Sequence, residues 1–453
     1  MYAVTNPATG EVIVEFPTAT DAQVDAAVED AHAEYLRWRR IPVGERAALV
    51  SRAADLFEER REDFAQTMST EMGKRIGDAR GEIGVVCDIF RYYADNAEAL
   101  LADEHTPIAG GEAVISKAPT GVILGIMPWN YPVYQVARFA APNLVLGNTV
   151  LLKHAPICPQ TALLIEAVMH DAGIPRGAYV NVFASNEQAA QIIADPRVQG
   201  VSLTGSERAG SIVAAQAGRN LKKVVLELGG SDPMVVLDSA DLPALVETAE
   251  TVRLENMGQA CNAPKRMIVM DDLYEPFVQG LVERFSQYRP GDPKDPHTTM
   301  APLSTRAAAE RVHAQVARAV EQGATLEVGG DLVDGPGAYV RPAVITGVTP
   351  AMDIHHEEVF GPVAIVYRVA SDDEALALAN DTPYGLGSSV FATDPQRAID
   401  FGRGIEAGMV YINSVGGSQA DLPFGGVKRS GVGRELGPLG IEEFMNKQVI
   451  RLA

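Results

Sequence analysis

Apolar residues recur every three or four positions along the first hundred residues. The segments 21–38 (DAQVDAAVEDAHAEYLRW) and 44–74 place Ala, Val, Leu and Phe at this spacing between charged residues. Such a period is typical of amphipathic helices that bury one face. The pattern therefore predicts a helical N-terminal region packed on another layer.

From residue 121 onward, short apolar runs alternate with helical patterns. The first series has strand-like runs at 121–127, 149–153, 178–183 and 198–203, with helical stretches near 133–146 and 159–171. A second series begins near residue 231 and contains strand-like runs at 234–237, 266–270, 362–368 and 387–391. Helical stretches at 241–256, 273–288, 308–322, 372–380 and 396–406 separate them. This alternation predicts an α/β fold with two doubly wound parallel sheets.

Two short alternating segments, 113–117 and 448–452, fit neither series. An unpaired strand exposes backbone donors and acceptors, so we expect each to pair with another segment or another subunit. The predicted organisation is a dinucleotide-binding domain (1–105 and 120–230), a catalytic domain (231–430) and a small β oligomerisation element (106–119 and 431–453). These β segments predict a homodimer or homotetramer.

Composition narrows the range of partners. Of the 453 residues, 38 are Lys or Arg and 59 are Asp or Glu, which gives a formal charge of −21. That charge repels nucleic acid and anionic membranes, so neither is an expected partner. The three cysteines cannot form a disulfide framework, and no apolar run approaches the roughly 18 residues of a membrane span. With no signal-like N-terminus, these features predict a cytoplasmic protein.

Cys261 is the candidate nucleophile. It ends the run Glu255-Asn-Met-Gly-Gln-Ala-Cys261, whose small residues leave the sulfur uncrowded. A lone cysteine is usually a buried core residue, but Glu227 ends an apolar strand just before two glycines. A desolvated carboxylate there can act as a general base, and the alternative interpretation is a structural ion pair.

Asn130 is the candidate oxyanion donor. It lies between Pro128 and Pro132, directly after a predicted strand, where an asparagine is often only a turn former. Its amide can nevertheless stabilise a developing oxyanion. The sequence lacks Gly-x-Ser-x-Gly, and its histidines have no metal-ligand spacing, so no metal site is expected.

The cofactor signal is weaker. No Gly-x-Gly-x-x-Gly follows a strand, and Gly431-Val432-Gly433 is interpreted as a turn. In Thr204-Gly205-Ser206 a strand runs into a helix start, whose free N–H groups favour a phosphate. Lys153 ends another strand, at the edge where ligands of open α/β sheets bind, and can bond ribose hydroxyls.

Together these motifs resemble the aldehyde dehydrogenase superfamily over essentially the whole chain, from Asn6-Pro-Ala-Thr-Gly10 to the last helix. Seven motifs occur in family order, which makes the resemblance specific. They are Pro128-Trp129-Asn130, Lys153, Thr204-Gly205-Ser206, Glu227-Leu-Gly-Gly230, Gly258-Gln-Ala-Cys261, Glu357-Glu358-Val-Phe360-Gly-Pro362 and Pro423-Phe-Gly-Gly-Val-Lys428.

The resemblance implies a catalytic mechanism. Cys261 attacks the aldehyde, Asn130 and the Cys261 backbone N–H hold the oxyanion, hydride passes to NAD or NADP, and Glu227 activates the hydrolytic water. Glu435 matches a second family carboxylate assigned to proton relay. Lys153 and Glu358 match residues that hold ribose hydroxyls, and Gly205 with Ser206 lies at the pyrophosphate. The implied cofactor residues are Trp129, Lys153, Thr204, Gly205, Ser206, Glu358 and Phe360.

Within the superfamily, the runs Leu152-Lys-His-Ala155 and Leu228-Gly-Gly-Ser-Asp-Pro233 resemble those of short bacterial succinate-semialdehyde dehydrogenases. Arg138, eight residues after Asn130, suits a substrate carboxylate, and Ser418 aligns with an assisting serine. Other members have a second arginine where this chain has Glu255, which would repel an acidic substrate if it faced the pocket.

Cofactor choice depends on the third position after Lys153. A glutamate there favours NAD, because it bonds the 2′ hydroxyl and repels a 2′ phosphate. This chain has Pro156, and either Lys153 or His154 could tolerate the phosphate, so the sequence slightly favours NADP. The alternatives are a dehydrogenase for another aliphatic or aromatic aldehyde, a cysteine-dependent ester hydrolase, and a non-catalytic relative.

Overall fold

The computed structural model describes residues 1–452. The strands are β1 (Tyr2–Thr5), β2 (Val12–Phe16), β3 (Glu104–Ile108), β4 (Gly111–Pro119), β5 (Val122–Met127), β6 (Thr149–His154), β7 (Tyr179–Asn181), β8 (Val198–Thr204), β9 (Lys223–Glu227), β10 (Pro233–Val236), β11 (Arg266–Met270), β12 (Thr325–Val328), β13 (Ala343–Thr346), β14 (Val363–Val369), β15 (Ser389–Phe391), β16 (Tyr411–Ile412), β17 (Gly431–Val432) and β18 (Met445–Leu452).

The helices are α1 (Asp21–Trp38), α2 (Val43–Glu59), α3 (Arg61–Met72), α4 (Ile76–Asp95), α5 (Ala97–Leu101), α6 (Tyr134–Leu146), α7 (Pro159–Asp171), α8 (Asn186–Ala194), α9 (Glu207–Arg219), α10 (Leu242–Leu254), α11 (Asp271–Phe285), α12 (Arg306–Glu321), α13 (Asp353–His356), α14 (Asp372–Asn380), α15 (Pro395–Gly402) and α16 (Gly437–Glu442).

Two sheets carry most of the strands. The first has the order β17-β9-β8-β5-β6-β7 and the second β12-β13-β14-β11-β10-β15-β16. Pairing is parallel except at β17 and β12, which join the sheet edges in antiparallel fashion. Both predicted α/β series are therefore confirmed, and the expected boundary at residue 230 falls between β9 and β10.

The N-terminal region differs from its helical prediction at the start. Strands β1 and β2 form an antiparallel hairpin before α1 begins. The side chain of Tyr2 is buried and donates a hydrogen bond to the carbonyl of Ala184, while β2 is largely exposed. A strand of only five residues, such as the solvent-exposed β2, has too short an apolar pattern to be recognised beside long helices. The helices that follow agree with the prediction.

The two unassigned β segments pair with each other. Strands β4 and β18 run antiparallel from Pro119–Met445 to Glu112–Leu452, and β3 joins the other side of β4. Of the predicted element, 106–119 and 445–452 lie in this three-stranded sheet, whereas 431–432 belong to the first sheet and 437–442 form a helix. Ala453 lies outside the described residues. Val449 and Ile450 are 67% and 44% exposed on β18.

Helix α6 lies in the core of the unit built on the first sheet. All of its residues are buried, and it packs on β5 at Gly125. A Cβ at Gly125 would stand only 2.0 Å from Cζ of Phe139, so a side chain there would push the helix away. This close approach fixes the loop between β5 and α6, which carries Asn130.

The segment that was interpreted as a turn near residue 431 is a short strand. Gly431 of β17 pairs with Glu227 of β9, so residues far apart in sequence close the edge of the first sheet. A two-residue strand has no periodic signal, which explains why the sequence did not predict it. No helix within residues 1–452 has the length and apolar character required to cross a membrane.

Candidate active site

The candidate site lies where parallel strands of the first sheet end. Strands β9, β8, β5 and β6 are parallel neighbours, so the residues that follow them emerge at one edge. The chain runs outward from β5 through β6 to β7 and then returns to place β8 on the other side of β5. Ligands of doubly wound folds bind at such a reversal of strand order.

The loop that carries Asn130 is held from both sides. Oε1 of Glu82 accepts the backbone N–H groups of Val133 and Tyr134, each at 2.9 Å. Lys74, which is buried with Glu82, pairs with the other oxygen of that carboxylate. His154 holds the loop at a third point, because its Nδ1 accepts from Ala155 and its Nε2 donates to the carbonyl of Pro132 at 2.8 Å.

Cys261 follows a turn of left-handed backbone. After α10 ends, Asn256, Met257 and Gly258 have φ values of 46°, 52° and 73°. Two of these are not glycine, and such a conformation is strained and concentrates at functional sites. The buried guanidinium of Arg253 secures the turn, since it bonds the carbonyls of Gly258 and of Val359 in the facing loop.

Asn130 and the cysteine loop are in direct contact. Nδ2 of Asn130 donates to the carbonyl of Gln259 at 3.1 Å, and the asparagine is buried. Cys261 is partly exposed and lines a cavity of about 510 Å³. The structure therefore brings the predicted oxyanion donor into contact with the loop of the predicted nucleophile, which lines the cavity.

The thiol of Cys261 lies in a desolvated environment. Burial raises its pKa to about 11, and the cations Arg138 and Lys265 act against that increase. A thiolate, not a thiol, is the reactive form of a cysteine. Burial therefore lowers the thiolate fraction near neutral pH, and the two cations partly offset that effect.

Lys265 is a buried cation that the sequence analysis missed. Its Nζ donates to the carbonyls of Cys261 (2.7 Å) and Ala260 (3.0 Å) and lies 3.4 Å from Oε1 of Glu358. It thus connects the nucleophile loop to a predicted ribose-binding carboxylate. The only sequence signal was a lysine four residues after the cysteine.

Glu227 is buried at the end of β9. Within residues 1–452 neither carboxylate oxygen has a hydrogen-bond partner, and the side chain is 2% exposed. Burial raises its pKa well above the usual range, while Arg138 acts in the opposite direction. The residue is not on the wall of the cavity that Cys261 lines.

The structure corrects the expected role of Arg138. Its side chain is fully buried, and its Nε lies 2.7 Å from Oε2 of Glu435. The guanidinium stacks 4.4 Å from the ring centre of Phe424 and 5.0 Å from that of Tyr134, and these rings, not Arg138, line the cavity. A substrate carboxylate cannot reach the guanidinium directly in this arrangement.

Glu435, the candidate proton relay, has a polar partner at each of its carboxylate oxygens. It pairs with Arg138 and accepts a hydrogen bond from Oγ of Ser202 at 2.9 Å. Burial raises its pKa, and the arginine opposes that shift. Glu435 and Glu227 both lie near Arg138, so one cation stabilises the charge of two buried carboxylates.

Tyr134 lies between Arg138 and the pocket. Its hydroxyl lies 2.6 Å from Oγ of Ser418 and 3.5 Å from Nη1 of Arg138. Tyr134 and Ser418 both line the cavity, together with Gln135, whose buried Oε1 has no hydrogen-bond partner within residues 1–452. The spacing of Tyr134 and Arg138, four residues apart on a helix, was the available sequence signal.

Glu255 does line the cavity, as the sequence analysis cautioned. Its Oε1 accepts a hydrogen bond from the hydroxyl of Tyr131 at 2.9 Å. Arg75, also on the cavity wall, forms a two-point ion pair with Asp78 at 3.0 and 3.1 Å. The outer part of the pocket therefore holds charges of both signs.

The residues that follow β6 and β8 suit a dinucleotide phosphate and ribose. Ser206 caps α9, its hydroxyl accepting the N–H of Ala209 at 3.3 Å, and a Cβ at Gly205 would meet nothing closer than 3.8 Å. The N–H groups of Glu207 and Arg208 at the start of α9 have no partner within the helix, and such groups are available to an anion. Lys153 is 5% exposed, and burial lowers the pKa of its amine.

The side chain of Thr204, a predicted cofactor residue, has a partner within the protein. Its Oγ1 accepts a hydrogen bond from Nη2 of Arg138 at 3.2 Å, so its side chain belongs to the charge cluster behind the pocket.

Two of the predicted cofactor residues, Trp129 and Phe360, are in contact. The rings of Trp129 and Phe360 pack edge to face with centres 5.7 Å apart. Oε1 of Glu358 accepts the N–H of Gly230 at 3.1 Å, and a Cβ at Gly229 would stand 2.2 Å from its Oε2. Glycine at 229 is therefore required for Glu358 to approach the strand that carries Glu227.

The structure distinguishes His154 and Pro156, two residues considered for cofactor choice, by their burial. His154 is fully buried, and burial lowers its pKa to about 4, so it offers no cation to a 2′ phosphate. Pro156 is exposed at the end of the loop after β6. Of the two residues that the sequence analysis proposed for tolerating the phosphate, only Lys153 remains. Residues 1–452 contain no cluster of three or more His, Cys, Asp or Glu suited to a metal ion.

The doubly wound fold, with its reversal of strand order at the site, is that of an oxidoreductase that uses a nicotinamide dinucleotide. The family model described as the aldehyde dehydrogenase family matches residues 1–450, and the chain belongs to that family.

Individual relatives agree with this assignment. The chain is 53% identical over 450 residues to the succinate-semialdehyde dehydrogenase [NADP(+)] of Deinococcus radiodurans, covering 99% of this chain and 94% of the relative. It is 46% identical to the enzyme of the same name from Mycobacterium avium, covering 99% and 96% of the two chains. The crystal structure of succinic semialdehyde dehydrogenase from Streptococcus pyogenes in complex with NADP+ matches with a TM-score of 0.98, 42% identity and full coverage of both chains. The predicted fold class is thus confirmed.

Prediction for the thiol. Because burial raises the pKa of Cys261 to about 11, its alkylation by iodoacetamide in the cofactor-free protein should accelerate with pH. The rate should rise roughly tenfold per pH unit between pH 7 and 10, following the thiolate fraction. Peptide mass spectrometry measures this rate, Cys261→Ala is the control, and the buried Cys87 and Cys158 should label far more slowly. A rate that levels off below pH 8 would contradict the prediction.

Proposed function

We propose that the protein oxidises an aldehyde to a carboxylic acid with a nicotinamide dinucleotide, through a covalent Cys261 intermediate. The observation that carries this proposal is the contact between the Asn130 amide and the loop of Cys261, a residue that lines the cavity. That arrangement places an oxyanion donor beside a nucleophile, on the edge of the sheet where a dinucleotide binds.

Acylation begins at the sulfur of Cys261. The thiolate forms a C–S bond to the aldehyde carbon, and the carbonyl oxygen becomes an alkoxide that the Asn130 amide stabilises. Hydride then leaves this carbon for the nicotinamide ring, which accepts it when the cofactor is bound, and a thioester remains on Cys261. Trp129, Phe360, Glu358 and Lys153 are the residues proposed to hold the cofactor.

Deacylation requires a general base, and Glu227 is the candidate. A carboxylate whose pKa is raised by burial removes a proton from water more readily near neutral pH than an exposed glutamate does. Water attacks the thioester carbon, the C–S bond breaks, and the carboxylic acid leaves with Cys261 restored. Arg138 stabilises the charged form of this base, whereas the neighbouring carboxylate of Glu435 opposes it. Glu435 is the proposed proton relay.

For the substrate, we favour succinate semialdehyde, the aldehyde in the names of the relatives in Deinococcus radiodurans and Mycobacterium avium. In this chain the carboxylate would meet the hydroxyls of Tyr134 and Ser418, with Arg138 supplying positive charge from behind the tyrosine. Charge-assisted hydrogen bonding through a hydroxyl replaces the direct arginine contact that the sequence suggested.

For the cofactor, we favour NADP. The loop position that discriminates against a 2′ phosphate holds the exposed Pro156, which carries no negative charge, and Lys153 lies at the end of β6. The names of the relatives specify NADP, which agrees with this loop chemistry. The three free cysteines support a reducing compartment, and we place the enzyme in the cytoplasm.

Prediction for the general base. Glu227→Gln should preserve formation of the thioester and slow its hydrolysis by roughly 10²- to 10⁴-fold, because an amide cannot accept the proton. Rapid-mixing absorbance at 340 nm should then show one equivalent of reduced cofactor per site, followed by very slow turnover. Glu58→Gln, an exposed ion-pair residue, serves as the matched control. Loss of the initial equivalent along with turnover would instead place Glu227 in the acylation step.

Prediction for the substrate and cofactor. With NADP, succinate semialdehyde should be oxidised with a kcat/KM at least about tenfold higher than that of an uncharged aliphatic or an aromatic aldehyde. Ser418→Ala should raise the KM for succinate semialdehyde and leave the uncharged aldehydes nearly unchanged, whereas the exposed Ser286→Ala should change neither. Absorbance at 340 nm with NAD and NADP in parallel gives both specificities. Preference for uncharged aldehydes would mean that Glu255 determines the pocket.

Prediction for assembly. We also propose a homodimer or homotetramer that associates through the β3-β4-β18 sheet, because apolar Val449 and Ile450 are exposed beside an open strand edge. Light scattering should give the mass of two or four chains, and Ile450→Asp should shift the population toward smaller species. Val320→Asp, at an exposed apolar site on α12, is the control. A monomeric wild-type protein would contradict the proposal.

A further inference from the structure

Three buried amide side chains form a closed ring around the nucleophile loop. Nδ2 of Asn256 donates to the backbone carbonyl of Asn130 at 2.9 Å, and Nδ2 of Asn130 donates to the carbonyl of Gln259 at 3.1 Å. The ring closes because Nε2 of Gln259 donates to the carbonyl of Asn256 at 3.1 Å. Each side chain therefore holds the backbone of the next.

The ring is isolated from solvent and anchored. Asn130, Asn256 and Gln259 are 5%, 2% and 1% exposed, so each hydrogen bond lies in a low-dielectric setting. Oε1 of Gln259 accepts the backbone N–H of Ser304 at 2.9 Å, which ties the ring to the second unit. The Asn130 loop follows β5 of the first sheet, so the ring spans the two halves of the site.

Asn256 is the residue on which both parts of this arrangement depend. Its φ of 46° is in the left-handed region, where asparagine is among the few tolerated side chains. The same side chain supplies the donor for the Asn130 carbonyl. A single residue type thus meets a backbone requirement and a hydrogen-bonding requirement at once.

The ring also determines how Asn130 is presented. A primary amide has two N–H groups, and the bond to Gln259 engages one of them at a fixed orientation. The other N–H then has a defined direction, which an oxyanion donor needs, because misplacement by about 1 Å can lower a rate by roughly 10²-fold. The backbone of Asn130 is fixed at the same time through the Asn256 amide.

We propose that Asn256 and Gln259 are positioning residues for the oxyanion donor Asn130. They act through Asn130 and do not contact the reacting atoms. The inference rests on the proposed function, because it presumes acyl chemistry at Cys261.

The test separates the backbone role of Asn256 from its amide role. Asn256→Gly keeps access to the left-handed region and removes the donor, whereas Asn256→Asp keeps the shape and places an oxygen against the Asn130 carbonyl. Both should lower kcat for aldehyde oxidation by about tenfold or more, a part of the 10²- to 10³-fold effect of losing one oxyanion donor. Alkylation of Cys261 by iodoacetamide, which forms no oxyanion, should stay within about twofold of wild type. A Gly variant with full activity would reduce Asn256 to a backbone role and overturn the proposal.

A double-mutant cycle with Asn130→Ala supplies the decisive comparison. If Asn256 acts through Asn130, its substitution should have almost no further effect in the Asn130→Ala background. Equal effects in both backgrounds, or parallel losses of oxidation and alkylation, would refute the positioning role. Gln259→Met gives the same comparison from a second position of the ring should either Asn256 variant fail to fold.

Failure of the proposed function would be recognised separately. A wild-type protein that oxidises no aldehyde in the presence of NAD or NADP disproves the oxidation itself. The ring is then tested on hydrolysis of p-nitrophenyl acetate, in which acyl transfer to Cys261 also passes through an oxyanion. Loss of ester hydrolysis in the Asn256 variants, with unchanged alkylation, would support the ring alone.

Discussion

The ion pair between Arg138 and Glu435 sets the electrostatics of the whole site. A charge buried beside a reactive thiol is stable only when a partner or a proton offsets it. Arg138 comes from α6 and Glu435 from the segment after β17, and the buried, unpartnered Glu227 lies in the field of both. The aromatic rings of Tyr134 and Phe424, which line the pocket, pack on the guanidinium of Arg138. The shape of the pocket therefore depends on the same ion pair.

Much of the fold was predictable because parallel strands leave long, regular signals. The runs at 149–153 and 266–270 coincide with β6 and β11, and the helix at 372–380 coincides with α14. Cys261, Asn130 and Glu227 could be proposed as site residues in the same way, because the expected chemistry demands particular side chains after particular strands, and the structure places Asn130 in contact with the loop of Cys261. Local pattern and required chemistry are both properties of short stretches of sequence.

Contacts between distant stretches were not predictable. Arg138 was expected to meet the substrate, yet Glu435, almost three hundred residues later, occupies its guanidinium. His154 looked available to a phosphate, but the carbonyl of Pro132 takes its Nε2 in the interior. Lys265 and Asn256 carried no periodic or motif signal, because their importance lies in the backbone carbonyls that they bond. A hydrogen bond from a side chain to a backbone carbonyl can be made to any residue type, so the sequence contains no pattern that identifies the partner.

The antiparallel strand β17 has a consequence for the order in which the molecule can assemble. It completes the edge of the first sheet at Glu227, and β18 pairs with β4 in the same way. Residues 431–452 leave the ribosome after both α/β units, so each earlier strand waits with an open edge during synthesis. Such edges invite mispairing in a nascent chain. A chain interrupted before residue 431 therefore contains Cys261, Glu227 and Asn130, but lacks the strands that pair with β9 and β4.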